Sequence, residues 1–337
     1  MSKLLGILLL SFLTTSILAV PFINLLYKLK FQRQKELGQK NIFGEVTSIV
    51  NKLHSWKVGT PNAGGILIIL VSIAFSAIFY ALTKFEINWT AKILYFTMFS
   101  FGLLGLYDDA RKFFGLKVTG VWGLRIRYKF SLQWLLALVI GLALNIQMGL
   151  HTVALPLGGE IDLGAFYPLF AALVIVATVN AVNLTDGLDG LANGLLLIAL
   201  SAFWWLSSLA DMGDIQVFIA VILGSLLAFH YFNIYPARVW MGDTGALALG
   251  GMLAVISLML NLVYVLPFIG AVFMIETIST LIQWTSKATR GEKVFLATPI
   301  HHHFEAKGWD ETKVTMRFWL AGAVSAFVGL FIALLGK

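Results

Sequence analysis

Long apolar runs alternate with short polar stretches along almost the whole chain. The runs fall at roughly 4–27, 63–83, 91–107, 130–148, 165–182, 191–210, 215–233, 245–262, 264–284 and 317–336. Each holds the 17 or so residues that a helix needs to cross a hydrocarbon core about 30 Å thick. The pattern predicts an all-α, polytopic membrane protein with about ten transmembrane helices. No linker, low-complexity tract or internal repeat divides it, so residues 1–337 read as one domain. The first run, Leu4 to Leu26, lacks a strongly basic start and a small-residue cleavage site, and reads as a retained helix. Between the fourth and fifth runs, Leu155 to Leu163 reads as a small β-hairpin turning at Gly158–Gly159, with a packing role.

Composition agrees with a membrane setting. The chain is 59% hydrophobic and 12% charged, against about 25% charged residues in ordinary soluble domains. The absence of cysteine excludes disulfides, thiolate metal sites and thiol nucleophiles. Charge then assigns the sides. Threading the runs alternately puts loops 28–62, 108–129, 183–190, 234–244 and 285–316 together, and with Arg317 at the edge of the last they carry 20 of the 24 basic residues. By the positive-inside rule this face is cytoplasmic and both termini lie outside. The net charge of +7 is thus mostly orientation bias, with attraction to anionic lipid heads and nucleotides as a further use. No soluble basic domain is present to carry nucleic acid, so none is expected as a partner.

The five loops on that face also hold the chemistry. Asp108 and Asp109 end the third run; neighbours on a helix diverge by about 100°, so the two carboxylates face different ways, while Asp108 and Lys112 meet at i,i+4. Asn183, Asp186 and Asp189 lie in a glycine-punctuated stretch. If that stretch is helical, the i,i+3 spacing puts both acids on one face; as a bland alternative they cap a helix. An Asp at mid-membrane costs roughly 2.5–3.5 kcal/mol to insert, which favours function. Pro236 stops the seventh helix. Asp243 precedes the next run, placed either as an N-cap or as a ligand to Mg2+, which prefers hard oxygen donors. Trp240 beside it offers a flat face for a base. Lys57 can neutralise a phosphate or serve as an ordinary inside lysine. Glu276 and Gln283 lie two turns apart on the ninth segment. His301, His302 and His303 diverge around a helix, so they make no ready zinc site and read better as donors to phosphate or sugar oxygens. Carboxylates, lysines and imidazoles gathered where helices exit one face describe a metal–phosphate active site. A transporter would place such groups near the midplane and show paired repeats, and a prenyltransferase would need repeated Asp-x-x-x-Asp sets.

In order along the chain stand Gly-Thr-Pro-x-x-Gly-Gly at 59–65, the acidic pair with Lys112, Asn-Ala-Val-Asn-Leu-Thr-Asp-Gly-Leu-Asp-Gly-Leu-Ala from Asn180, Asn-x-Tyr-Pro-Ala with Met-Gly-Asp-Thr-Gly from Asn233, and Pro-Ile-His-His-His-Phe-Glu from Pro299. Together they resemble the polyprenyl-phosphate N-acetylhexosamine-1-phosphate transferases, from about residue 54 onward. The three-histidine segment is similar to the MurNAc-pentapeptide branch rather than to the sibling branch using UDP-GlcNAc. The resemblance implies a cytoplasm-facing cleft in the bacterial plasma membrane, a homodimer as one possible assembly, and Mg2+-dependent transfer of phospho-MurNAc-pentapeptide from its UDP carrier to undecaprenyl phosphate. It implies Asp243 as metal ligand, with Asp108, Asp109 and Lys112 beside the reacting phosphates. It implies that Lys57, Thr60, Asn62, Asn183, Asp186, Asp189, Asn233, Trp240, Gln283, His301, His302 and His303 line the substrate pocket. Direct attack by the lipid phosphate and a covalent aspartyl-phosphate route both stay open, as does which acid, if either, acts as base. The chain departs from the family pattern at Asn62–Ala63, where Thr-Met is commoner, at Ala110 for an aromatic, and at Trp240 for Phe. Loop 28–53 follows no family pattern, and the long stretch 113–126 leaves open how Lys129 pairs with a family lysine.

Overall fold

The computed structural model describes residues 2–32, 57–83, 87–113, 126–156 and 158–335. Most of loop 28–53 and of the stretch 113–126 lies outside them. The helices are α1 (Ser2–Lys28), α2 (Gly65–Thr83), α3 (Trp89–Phe113), α4 (Ile126–Met148), α5 (Tyr167–Thr185), α6 (Leu191–Leu209), α7 (Gly213–Asn233), α8 (Gly242–Met259), α9 (Leu266–Ile269), α10 (Ala271–Arg290), α11 (Ile300–Ala306) and α12 (Glu311–Leu335). Among the described residues nine helices are long and apolar enough to span a membrane, or ten if the bent pair around Gly270 counts as one span.

The helices form a layered bundle around α8. Within its apolar window α8 is 94% buried, whereas α1 and α12 are 17% and 22% buried and lie at the rim. The reason is side-chain size. The sequence of α8 is rich in Gly and Ala, so neighbours approach closely, which is how helices pack where lipid gives no hydrophobic drive for association. A Cβ placed on Gly105 of α3 would sit 2.2 Å from the Asp243 carbonyl oxygen, so α3 and α8 can touch there only through glycine. The rim helices instead turn Leu9, Leu10, Ile17, Leu320, Phe327 and Phe331 outward, where hydrocarbon is the solvent.

The ninth apolar run departs from the simple expectation of one straight helix. It breaks at Gly270, which takes non-helical torsions, and the two pieces meet at 81°. Beyond the break, α10 is inverted relative to a soluble amphipathic helix. Glu276, Ser279, Thr280 and Gln283 point inward and are buried, while Met274, Ile275, Ile278, Leu281 and Ile282 face out.

One end of the bundle is closed by structural ties. The hairpin pairs β1 (Thr152–Ala154) with β2 (Glu160–Asp162), antiparallel, with positive φ at both Gly158 and Gly159 as expected for its turn. Asn261 Oδ1 accepts from the Ala154 amide at 3.0 Å and joins the hairpin to the end of α8. Asp214 accepts from Tyr80 Oη at 2.7 Å and also from Asn88. The opposite end carries the polar loops.

Candidate functional site

At that opposite end, segments far apart in sequence are bonded to one another. The backbone of 61–65 pairs with 240–241: Trp240 N donates to Pro61 O at 2.9 Å, Gly64 N to Trp240 O at 2.8 Å, and Gly65 N to Met241 O at 2.9 Å. Asn62 N donates to Phe31 O at 2.9 Å, so the end of α1 joins the same layer. These ties bring the first and fourth motifs side by side.

Two charge clusters result. In the first, Asp243 sits in the opening turn of α8. Its Oδ2 is bound by Lys112 at 2.9 Å and by Lys129, and its Oδ1 accepts from Asn183 Nδ2 at 3.1 Å. Asp108 lies 3.1 Å from both Lys112 and Lys129. Lys129 stands in the first turn of α4 and ties α3, α4, α5 and α8 together; spacing alone left its pairing open, since an unpatterned stretch precedes it. The i,i+4 contact of Asp108 with Lys112 is the one that helix geometry requires.

Asp109 points elsewhere, as the divergence of adjacent residues demands. Its carboxylate accepts from Asp243 N at 3.3 Å, from Thr244 N at 3.0 Å and from Thr244 Oγ1 at 2.7 Å. This corrects the N-cap reading of Asp243. The helix begins one residue earlier, at Gly242, and the acid covering its exposed amides comes from α3. An anion there is favoured by both the unpaired N–H groups and the helix dipole.

In the second cluster Lys57, 1% exposed, is bound by Asp189 Oδ1 at 2.6 Å and by Glu311. A lysine held this way is no ordinary solvated inside lysine. Asp189 Oδ1 also accepts from Trp240 Nε1 at 3.0 Å, and its Oδ2 from Ala237 N at 2.9 Å. The Lys57 ammonium lies 5.5 Å from the Trp240 ring centroid.

The helical reading of Asp186 and Asp189 does not hold. Helix α5 ends at Thr185, Asp186 leaves it with ψ of 54°, and Asp189 sits in the turn before Gly190, which has φ of 74°. The two glycines favour a turn over a shared helix face. Burial, with Asp243 and then Asp109 nearby, pushes the Asp186 carboxyl up to about 7. Gly187 packs so tightly on α11 that a Cβ would meet His301 Nε2 at 2.4 Å.

The remaining sequence candidates brace the site's walls. His301 is fully buried with Nδ1 3.1 Å from Glu276. His302 Nδ1 pairs with Glu305 at 2.7 Å, and His303 Nδ1 accepts from Leu296 N at 3.1 Å. Burial and the Lys307 charge hold His303 below the usual imidazole range, consistent with an accepting nitrogen. Gln283 accepts from Val294 N and Phe295 N and donates to Phe295 O, so its amide fixes the loop before α11. Asn233 Nδ2 donates to Val239 O at 3.0 Å. Thr60 N donates to Lys57 O at 3.2 Å. Asn62 Oδ1 is buried beside Asp109 and Gly242 without a hydrogen-bond partner. Glu311 was not singled out from sequence, because its partners lie 122 and 254 positions away.

Among the described residues no group of three or more acidic, His or Cys side chains forms a preformed metal cage. Mg2+ does not need one, since it usually binds one or two carboxylates plus substrate phosphates. Around Asp243 the carboxylates of Asp108, Asp109 and Asp186 outnumber the ammonium groups of Lys112 and Lys129. These hard carboxylate oxygens, with the unpartnered Asn62 Oδ1 nearby, suit a divalent cation.

A sequence profile described as glycosyl transferase family 4 matches residues 91–261. A protein of Oceanobacillus iheyensis is 40% identical over 329 residues, covering 96% of this chain and 95% of its own. One from Halalkalibacterium halodurans is 39% identical, covering 96% of each chain, and one from Bacillus licheniformis is 38% identical, covering 95% of each. All three bear the name phospho-N-acetylmuramoyl-pentapeptide-transferase.

Proposed function

The chain belongs to the phospho-N-acetylmuramoyl-pentapeptide-transferase family, within glycosyl transferase family 4, and on that premise we propose that it transfers phospho-MurNAc-pentapeptide from UDP-MurNAc-pentapeptide to undecaprenyl phosphate, with Mg2+, at the cytoplasmic face of the bacterial plasma membrane. The observation that carries this reading is the convergence of five sequence-distant loops into one charged layer at one end of an apolar bundle. Among the described residues no feature favours the branch that uses UDP-GlcNAc.

Phosphoryl transfer asks a protein mainly for positioning and charge neutralisation. An oxygen of the lipid phosphate attacks the sugar-bearing phosphorus of the UDP carrier. A new P–O bond forms there, the bond to the nucleotide phosphate oxygen breaks, and UMP leaves with that electron pair. Lys112 and Lys129 stand where they would share the charge of the reacting phosphates. Asp243, with Asp108 beside it, would hold Mg2+, which when bound neutralises diphosphate charge. Asp109 is committed to the start of α8, so Asp108 is the better placed proton acceptor. A phosphate monoester already loses its second proton near pH 6, so a strong base is not demanded. Trp240 offers its indole face to the uracil, and stacking of this kind is worth about 1–3 kcal/mol. Lys57 and Asp189 hold that end of the pocket.

The test is UMP release by detergent-purified protein given UDP-MurNAc-pentapeptide, undecaprenyl phosphate and Mg2+. One UMP should appear per lipid-linked product, and Asp243→Asn should lower turnover by roughly 10²–10³-fold, the cost of losing one preorganised electrostatic contact. Turnover with UDP-GlcNAc in place of the MurNAc substrate, or near-normal activity of the Asp243→Asn protein, would refute the assignment.

A further inference from the structure

Resting on the function just proposed, we propose that Glu311 is a positioning residue for the nucleotide end of the pocket, acting through Lys57 and the Asp189 turn. Helix α12 lies at the bundle's rim, yet its first residue reaches into the second charge cluster. One oxygen of Glu311, Oε1, does two things. It accepts from Lys57 Nζ, and it accepts from the backbone amide of Asp189 at 2.7 Å.

Counting donors and acceptors shows why both contacts matter. A lysine ammonium carries three donor hydrogens and no acceptor. Lys57 is 1% exposed, and two carboxylates, those of Asp189 and Glu311, accept from its ammonium. The Asp189 carboxylate is also shared with Trp240 Nε1 and Ala237 N. Glu311 supplies the second carboxylate, and from the first turn of a helix, where the dipole favours an acid. By gripping the Asp189 amide with the same oxygen, it fixes the distance between Lys57 and the turn that bears Asp189. The Trp240 ring is bonded through that same Asp189. Glu311 therefore sets the relative placement of an ammonium, a carboxylate and an aromatic face, without itself touching the acidic cluster at Asp243.

The experiment uses the full chain in detergent, UMP as the probe and Mg2+ in the buffer. Calorimetric titration should show UMP binding to the wild type. Glu311→Gln keeps the shape and removes the charge; UMP should bind at least about tenfold more weakly, as expected for a lost charge-assisted hydrogen bond. At saturating nucleotide-sugar, kcat should stay within about threefold, so the loss appears in KM. Glu311→Asp, which keeps the charge on a shorter arm, should recover part of the affinity. Lys57→Met should weaken UMP binding, and adding Glu311→Gln to it should cost little more, since both act through one contact. Unchanged UMP affinity in Glu311→Gln, a loss confined to kcat, or additive losses in the double variant would overturn the proposal. So would failure of both Glu311 variants to give monodisperse folded protein, which would assign the residue to fold maintenance. If the wild type itself binds no UMP, the parent reading falls, and this one falls with it.

Discussion

Asp108 and Asp109 are neighbours whose environments separate their roles. Asp109 accepts three hydrogen bonds from the start of α8, so Asp109→Asn should lower stability by about 1–2 kcal/mol, the usual worth of a helix-terminal cap, and activity should fall with it. Asp108 faces two lysines instead. Asp108→Asn should abolish turnover while the melting temperature stays near that of the wild type. Thermal melts and UMP release on both variants check the pair, and equal melting losses would contradict the division. Asp186 gives a pH signature. Its carboxyl, raised to about 7 from 3.8, binds its proton more tightly in the folded than in the unfolded chain. The unfolded chain therefore releases that proton first, and this group's contribution to stability is full below about pH 4 and is lost as pH rises through 7. Melting temperature of the ligand-free protein should fall across that window, and Asp186→Asn should flatten the slope. At this scale the sequence was informative where partners were local. The Asp108–Lys112 contact follows from helix spacing, whereas Glu311 and Lys129 gain meaning only from partners that the fold supplies.

The elements place these groups to within ångströms, and glycine decides how closely. Gly105→Ala would drive a methyl group onto the Asp243 backbone, pushing α3 from α8 and moving Asp243 away from Lys112. A misplacement near 1 Å costs on the order of 100-fold in rate, so activity should drop by at least tenfold. Gly6→Ala on α1, where nothing lies within 4 Å, should leave both activity and melting unchanged. Helix positions were legible because apolar runs of spanning length have few other readings. Two local readings failed for identifiable reasons. The stretch from Asp186 to Gly190 carries helix-compatible spacing, but two glycines let it turn instead. The ninth run is apolar enough overall to read as one helix despite Glu276, Ser279, Thr280 and Gln283, while the bend at Gly270 depends on backbone torsion and on that polar face of α10 packing inward.

For the whole molecule, the decisive property is that the described parts of the five motif-bearing loops lie at one end of the bundle and the hairpin at the other. Alternate threading anticipates this, because an odd or even number of crossings fixes the end at which each loop emerges. What threading leaves out is the depth of burial: Lys57 and Asp109 are almost fully enclosed, although each comes from a stretch that threading assigns to a polar loop. A chain without cysteine allows the arrangement to be tested directly. Single cysteines at Arg238, Glu292 and Lys307 on the charged end, and at Glu160 and Asp211 on the hairpin end, all occupy exposed positions. A membrane-impermeant thiol reagent should label the first three only in inside-out vesicles and the last two only in right-side-out cells. Labelling of Arg238→Cys, Glu292→Cys and Lys307→Cys from different sides would contradict a single charged face.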